Sequence, residues 1–379
     1  MRNLWYFGLE PLKERYTYQL SEEWMPDTFK KAAVNFIHLR GEKDDGKISV
    51  GSVLDAYGRG VYSMSQCQQF MKAIAAGKVQ NNDIVFLQDF WTPGIEAVFY
   101  MLDLYGIKIK LYSMLHAQSV DEYDFTYHMR DWMRDFELGI DKRHSGIFVG
   151  STIHKEQLRN AGFKAAIHVV SLPIHQELAK KVAFKGVVKK ERQVIFTSRF
   201  DKEKNPYFML DVALRFLDRN PEFTWVITTS GDDFKSSIPG FVNEMKALAE
   251  INPRLVLKAN LTKEEYYLEL QKSLVQFNSS LQDYVSWTLL ESTMFSCDIV
   301  YPNFRSFPEI IDSDRLYKAF DVKSAVLLLN KVTKEPRTHH HIVKKSDLGR
   351  RVEAHIMLSD LVEEFNIWHE ESYFNFLND

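Results

Sequence analysis

Short apolar runs alternate with amphipathic stretches along most of the chain, and this alternation predicts α/β layers built on parallel sheets. In the first half the strand candidates are "LWYFGL", "VNFIHLR", "DIVFLQDF", "KIKLYSMLH", "GIFVGS" and "AAIHVVSLP". Between them, "SMSQCQQFMKAIAAGK" and "GIEAVFYMLDLYG" carry apolar residues at spacings of three and four, the period of a helix with one buried face. The stretch "KKVAFKGVVKKERQ" is basic and weakly periodic and reads as a linker. A second series follows: "QVIFTSRF", "TWVITTS", "RLVLKANL", "LVQFNSS", "DIVYPN" and "RLYKAF". Two such series predict two Rossmann-like domains, 1–188 and 189–350. The tail 351–379 is expected to be a helix that packs back on the first domain.

The chain has 379 residues, 45% of them hydrophobic and 26% charged, the composition of a globular protein. No apolar run reaches the roughly 20 residues of a membrane span, and the N-terminus mixes acids and aromatics where a signal peptide would be basic and then apolar. A cytoplasmic location is therefore expected. The two cysteines, Cys67 and Cys297, lie in no metal-type spacing and are expected to be buried small apolar residues. The internal run His339 to His341 is too isolated to suggest a metal site.

The formal charge of −3 excludes a uniformly basic nucleic-acid binder. It divides unevenly, about +3 over residues 1–190 and about −6 over the rest, with eight Lys or Arg against two acids in 151–190.

Chemistry is expected where a strand opens through a polar loop into a helix. The run "LVQFNSSLQDYVSWTLLESTMFSCDIVYPNFRSFPEII" has that form. Free N–H groups of Val285, Ser286, Trp287 and Thr288 at a helix start can cradle phosphate oxygens. Glu291, two turns further in, can accept hydrogen bonds from adjacent ribose hydroxyls. In "FTSRFDKEKNP", Arg199 closes a strand and Lys204 precedes the helix-opening Pro206, a pair suited to a diphosphate.

These segments resemble the signature of the large retaining GT-B glycosyltransferase superfamily. In that signature a Glu, seven residues and a second Glu are followed by a small-residue helix, a strand and a "PEII" turn. Glu291 falls on the second Glu, and "FPEII" at 307–311 falls at the matching distance. Asp283 stands where the family usually has its first Glu, and Ser286 where it often has Gly. The resemblance covers roughly residues 191–335. It implies a GT-B fold, two facing Rossmann-like domains with the active site in the cleft between them. It also implies a nucleotide sugar as donor, with uridine favoured, and neither a cofactor nor a metal. Arg199 and Lys204 would hold the diphosphate, Glu291 the ribose, and Asp283 would lie by a transferred sugar of glucose or arabinose type. The loop of Asn260 and Leu261 would lie near the base, and His116, after the strand "KIKLYSMLH", would touch the donor sugar.

On the acceptor side, Arg15, Gly60, Asp121 and Tyr123 are candidates by position. Gly58 and Gly60 are expected in a loop that lets backbone approach a phosphate. The first domain is similar to tailed-phage glycosyltransferases that modify hydroxymethylated cytosine, which implies double-stranded DNA as partner and 5-hydroxymethylcytosine as acceptor. The chain is expected to act as a monomer or weak dimer. A glycosyltransferase of lipid-linked or surface polysaccharide synthesis is the competing reading. A non-catalytic nucleotide-sugar binder or an epimerase on the same scaffold is the competitor of another class.

Overall fold

The computed structural model describes residues 2–10, 18–32, 34–43, 56–170, 182, 189–229, 231 and 233–336. Its described residues divide into two compact units, one up to residue 170 and the other from 182. Val182 is buried in the core of the second unit, ahead of the expected boundary at 188/189. Arg15, most of the expected linker, the His339–His341 run and the 351–379 tail lie outside the described residues.

All twelve anticipated strands form. The first unit holds β1 (Asn3–Phe7), β2 (Asn35–Leu39), β3 (Ile84–Leu87), β4 (Lys110–Met114), β5 (His144–Val149) and β6 (Ala166–Val169), in the order β2-β1-β3-β4-β5-β6. Every pairing in it is parallel. The central strand β3, Ile-Val-Phe-Leu, is buried throughout, as a strand covered on both faces must be. One face packs Trp5, Phe7, Val85 and Leu87 against Phe70 and Val98 from the helices Ala56–Ala75 and Ile95–Leu104. On the other face an aromatic row runs from Phe29 through Phe86 to Phe148, with ring centroids 5.1 and 5.9 Å apart.

The second unit holds β7 (Glu191–Phe196), β8 (Thr224–Thr228), β9 (Leu255–Lys258), β10 (Ser273–Phe277), β11 (Asp298–Asn303) and β12 (Leu316–Lys318), ordered β12-β11-β10-β7-β8-β9 and again wholly parallel. Alternate residues of β7 serve opposite faces. Val194 and Phe196 join a core with Phe216, Trp225, Phe277 and Leu329, while Ile195 joins Tyr267, Leu290 and Tyr301. The chain runs outward from β7 to β9, then restarts at β10 on the other side of β7. Such a reversal opens a crevice at the carboxyl ends of the two strands where the winding changes direction. In the second unit these are β7 and β10, and in the first β1 and β3.

Cys67 and Cys297 are free and buried, as expected, and burial pushes both thiols up to about 12. Among the described residues no helix is long and apolar enough to cross a membrane. The basic segment before β7 loses one member of its free charge. Lys190 donates its ammonium to the carbonyls of Leu270, Ser273 and Phe295, at 3.4, 2.9 and 2.9 Å, and so closes helix and loop ends within its own unit.

Candidate functional site

Past the end of β7 the chain passes Arg199 and a single 3-10 turn, Lys202–Lys204, and then enters the helix Pro206–Arg219. Asn205 makes that corner at φ 49°, in the left-handed region that Asn tolerates, and Pro206 starts the helix where a missing N–H costs nothing. Past the end of β10 come Asn278, Ser279 and Ser280, then the loop to the helix Trp287–Met294. Lys204, only 8% exposed, joins the two strand ends. Its ammonium donates to Ser280 Oγ at 3.0 Å and to the Gln282 carbonyl at 2.9 Å, and pairs with Asp283 at 3.2 Å. In return Ser279 Oγ donates to the Lys204 carbonyl at 2.7 Å.

Arg199 is half exposed and reaches Asp201 at 2.7 Å and Glu203 at 3.0 Å. Arg199 and Lys204, the pair expected to hold a diphosphate, thus lie among three carboxylates. A buried ammonium without a counter-ion would forfeit several kcal/mol of hydration, and Asp283 supplies that counter-ion to Lys204. Burial, against the neighbouring Lys204 and Arg199 charges, raises the Glu203 carboxyl above its ordinary range.

The helix Trp287–Met294 begins where expected. Ser286, buried, accepts from the Leu289 N–H at 3.3 Å and lies 3.1 Å from Thr288 Oγ1, which makes it the cap of the first turn. Val285 is half-buried beside it. Asp283 is tied to the "FPEII" turn, since its carbonyl accepts the Ser306 hydroxyl.

Glu291 is 1% exposed, and four side chains of its own chain surround its carboxylate. Oε1 receives the Trp287 indole N–H at 2.9 Å, the Tyr267 hydroxyl at 3.2 Å and the Lys263 ammonium, and Oε2 receives the Tyr266 hydroxyl at 2.9 Å. Glu291, expected to hold the ribose, thus meets four donors of its own unit. Lys263, Tyr266 and Tyr267 escaped the sequence reading, although "TKEE" carried the capping box of their helix, Lys263–Lys272. Asn260 is exposed at φ 57°, and its N–H and that of Leu261 bond the Gly231 and Thr229 carbonyls at 2.8 and 3.2 Å.

In the first unit His116 follows β4, with Nε2 2.9 Å from the Gln88 carbonyl at the end of β3. Gly60 is not in a loop: it lies inside the helix Ala56–Ala75, and an added Cβ there would meet no atom within 4 Å. Its neighbour is the notable residue. Arg59, 5% exposed at the β1/β3 reversal, pairs with Glu10 at 3.1 Å and Asp89 at 3.4 Å and donates to the Trp91 carbonyl at 3.0 Å. The stripe Arg59, Tyr62, Ser63, Gln66 and Cys67, buried at helical spacing, was its signal.

Asp121 is buried in its own loop, where it accepts from the Tyr123 N–H at 3.1 Å, so it does not stand open to an acceptor; Tyr123 is half-buried. Nearby Asp124 accepts from Thr126 N and Oγ1, both at 2.9 Å, and burial still pushes its carboxyl from 3.8 up to about 7. A carboxyl raised on folding favours the fold while protonated, so that contribution is complete below about pH 4 and lost as pH rises through about 7. Asp124→Asn should therefore stabilise the protein by about 2 kcal/mol at pH 8 and by little at pH 4, read from thermal melts across that range. A constant difference would contradict this assignment.

Among the described residues no group of three or more His, Cys, Asp or Glu side chains is placed to hold a metal ion.

No family model matches the chain. A curated relative, the tRNA-queuosine alpha-mannosyltransferase of Drosophila melanogaster, is 23% identical over 145 residues, covering 38% of this chain and only 37% of that protein. Among solved structures, sucrose-phosphate synthase from Thermosynechococcus elongatus superposes with a TM-score of 0.68 at 11% identity, each chain fully covered. The Anabaena HepE protein, in complex with UDP and glucose, superposes at 0.62 and 12% identity, also over both whole chains. Trehalose-6-phosphate synthase OtsA gives 0.63 at 12%, covering 100% of this chain and 99% of that one. These are GT-B glycosyltransferase structures, and the likeness establishes the GT-B fold, as the sequence resemblance implied.

Proposed function

We propose that the chain is a glycosyltransferase that moves a sugar from a nucleoside diphosphate, UDP, to a hydroxyl acceptor. The observation that carries this is the β7/β10 crevice of the second unit. It gathers Arg199, Lys204 and the N-terminus of the helix Trp287–Met294 around two strand ends. The structural neighbours, a sucrose-phosphate synthase and a protein bound to UDP and glucose, support the same reading.

The sugar C1 to phosphate oxygen bond breaks as the acceptor oxygen bonds C1. With retention, the acceptor proton passes to the departing phosphate oxygen, so no protein base is required. Charge grows on that oxygen, and preorganised cations and helix N–H groups that face it supply the main acceleration. For the diphosphate to reach Lys204, Asp283 must give up its ion pair, which leaves that carboxylate free to meet a sugar hydroxyl. Two resident cations make a metal unnecessary in this scheme.

We further propose that the acceptor is a hydroxyl on a modified base, 5-hydroxymethylcytosine in DNA. The curated relative is named for action on a modified nucleoside of tRNA. The first unit exposes Phe125 at 40% and Trp132 at 57%, and holds Arg130 over the Tyr127 ring at 4.4 Å, the side-chain types that stack on unpaired bases. The test is to incubate the protein with UDP-sugars and DNA that carries hydroxymethylcytosine, unmodified DNA, tRNA or lipid-linked glycan, and then weigh the products. A hexose or pentose increment on hydroxymethylcytosine alone supports the proposal. Transfer only to tRNA or to glycan overturns the acceptor and keeps the enzyme class. Conversion of the nucleotide sugar with no acceptor present identifies an epimerase.

A further inference from the structure

Glu291 is the residue to which the sequence resemblance assigns the ribose, yet its carboxylate is already served by four donors. A carboxylate offers about four lone-pair sites, so vicinal hydroxyls can bind it in pairs only if a resident donor leaves. The three donors to Oε1 differ in how readily they can go. Tyr267 is buried in the core with Ile195 and Leu290, and Trp287 is the first residue of the helix that carries Glu291 itself. The Lys263 side chain is 36% exposed, beside a Glu291 side chain at 2%.

Lys263 also has a place to go. Its ammonium lies 4.9 Å from the ring centroids of both Tyr266 and Tyr267, so small rotations of a four-carbon stem keep the charge over aromatic faces as it leaves the carboxylate. Its backbone need not move. Thr262 and Glu265 cap the helix reciprocally, and the preceding loop is pinned by the Asn260 and Leu261 N–H bonds.

Resting on the donor reading above, we propose that Lys263 is a donor-site residue that occupies the ribose position in the empty enzyme and is displaced by the nucleotide's vicinal hydroxyls. The pair serves both states. With the site empty, Lys263 gives a buried carboxylate the cation it needs, and with nucleotide bound, hydroxyl donors replace it. Nucleotide binding then carries the cost of breaking an ion pair. Ligands without the diol cannot compensate for that loss, which makes Lys263 a determinant of ribose over deoxyribose.

The test is calorimetric titration of the full chain and its K263M, K263Q and K263R variants with UDP and with 2′-deoxy-UDP, with circular dichroism to confirm the fold of each. Loss of a charge-assisted bond that competes with ligand should tighten UDP binding about tenfold in K263M and K263Q. K263R should stay near wild type, and 2′-deoxy-UDP should gain less than UDP. UDP binding that is unchanged or weaker in the folded K263M and K263Q proteins overturns the proposal and leaves the donor reading standing. Failure of the wild type as well as every variant to bind UDP overturns both.

Discussion

Lys204→Ala should lower the rate of sugar transfer about 10²- to 10³-fold at saturating donor, the loss typical of one electrostatic donor removed from a developing oxyanion. The side chain bonds both Ser280 and Gln282, and so stands between the two strand ends of the crevice. Removing it subtracts a charge that, in the proposed reaction, the diphosphate meets more strongly as the sugar departs. Asp283, left without its partner, is 25% exposed at the side chain and can be hydrated, so the fold should survive. The measurement is single-turnover transfer at saturating nucleotide sugar, beside a urea melt of the same preparation. A folded variant with more than a tenth of the wild-type rate would remove Lys204 from the reaction.

The largest loss of stability is expected elsewhere in the same unit. Arg315 reaches Asp298 through Nε at 2.9 Å and through NH2 at 3.1 Å, with the two side chains 3% and 0% exposed. The pair fastens the first residue of β11 to the 3-10 turn Ser313–Arg315 that leads into β12. Arg315→Met takes the bidentate guanidinium away from a buried carboxylate and should cost about 3–5 kcal/mol. The double variant Asp298→Leu, Arg315→Met removes both charges and should recover most of that loss, because hydrophobic replacement of a buried pair is often near neutral. Denaturant midpoints for the wild type, the single and the double variant decide it. Equal losses in single and double variants would show that the pair's geometry, more than its charge, holds β12.

The fold was legible because period-two and continuous apolar runs of five or six residues leave few alternatives to strands, and all twelve formed. The site was legible only where one segment carries its own geometry. Arg199, Lys204 and Ser286 each stand at a strand end or helix start that local sequence marks, and Glu291 lies within the helix that Ser286 opens. Their surroundings were not, because Lys263, Tyr266 and Tyr267 reach Glu291 from a helix more than twenty residues away. The counter-ions Asp201, Glu203 and Asp283 were in plain view, but only folding shows that their side chains turn back on the cations. Gly60 misled for a related reason: glycine next to Arg59 reads as loop, whereas the helix there tolerates both because Arg59 is held by Glu10 and Asp89.

The strand order of the second unit also sets when its crevice can exist. β7 pairs with β10, for example Val194 with Val275 and Ile195 with Gln276, only after β8, β9 and their helices have been made between them. Joining positions so far apart along the chain carries a loop-closure cost that nearer pairings avoid. A folding intermediate that contains β7, β8 and β9 would hold Arg199 and Lys204 but lack Ser280, Gln282 and Glu291. Until β10 pairs, the β7/β10 crevice is incomplete, and β7 is an uncovered edge open to pairing with another chain.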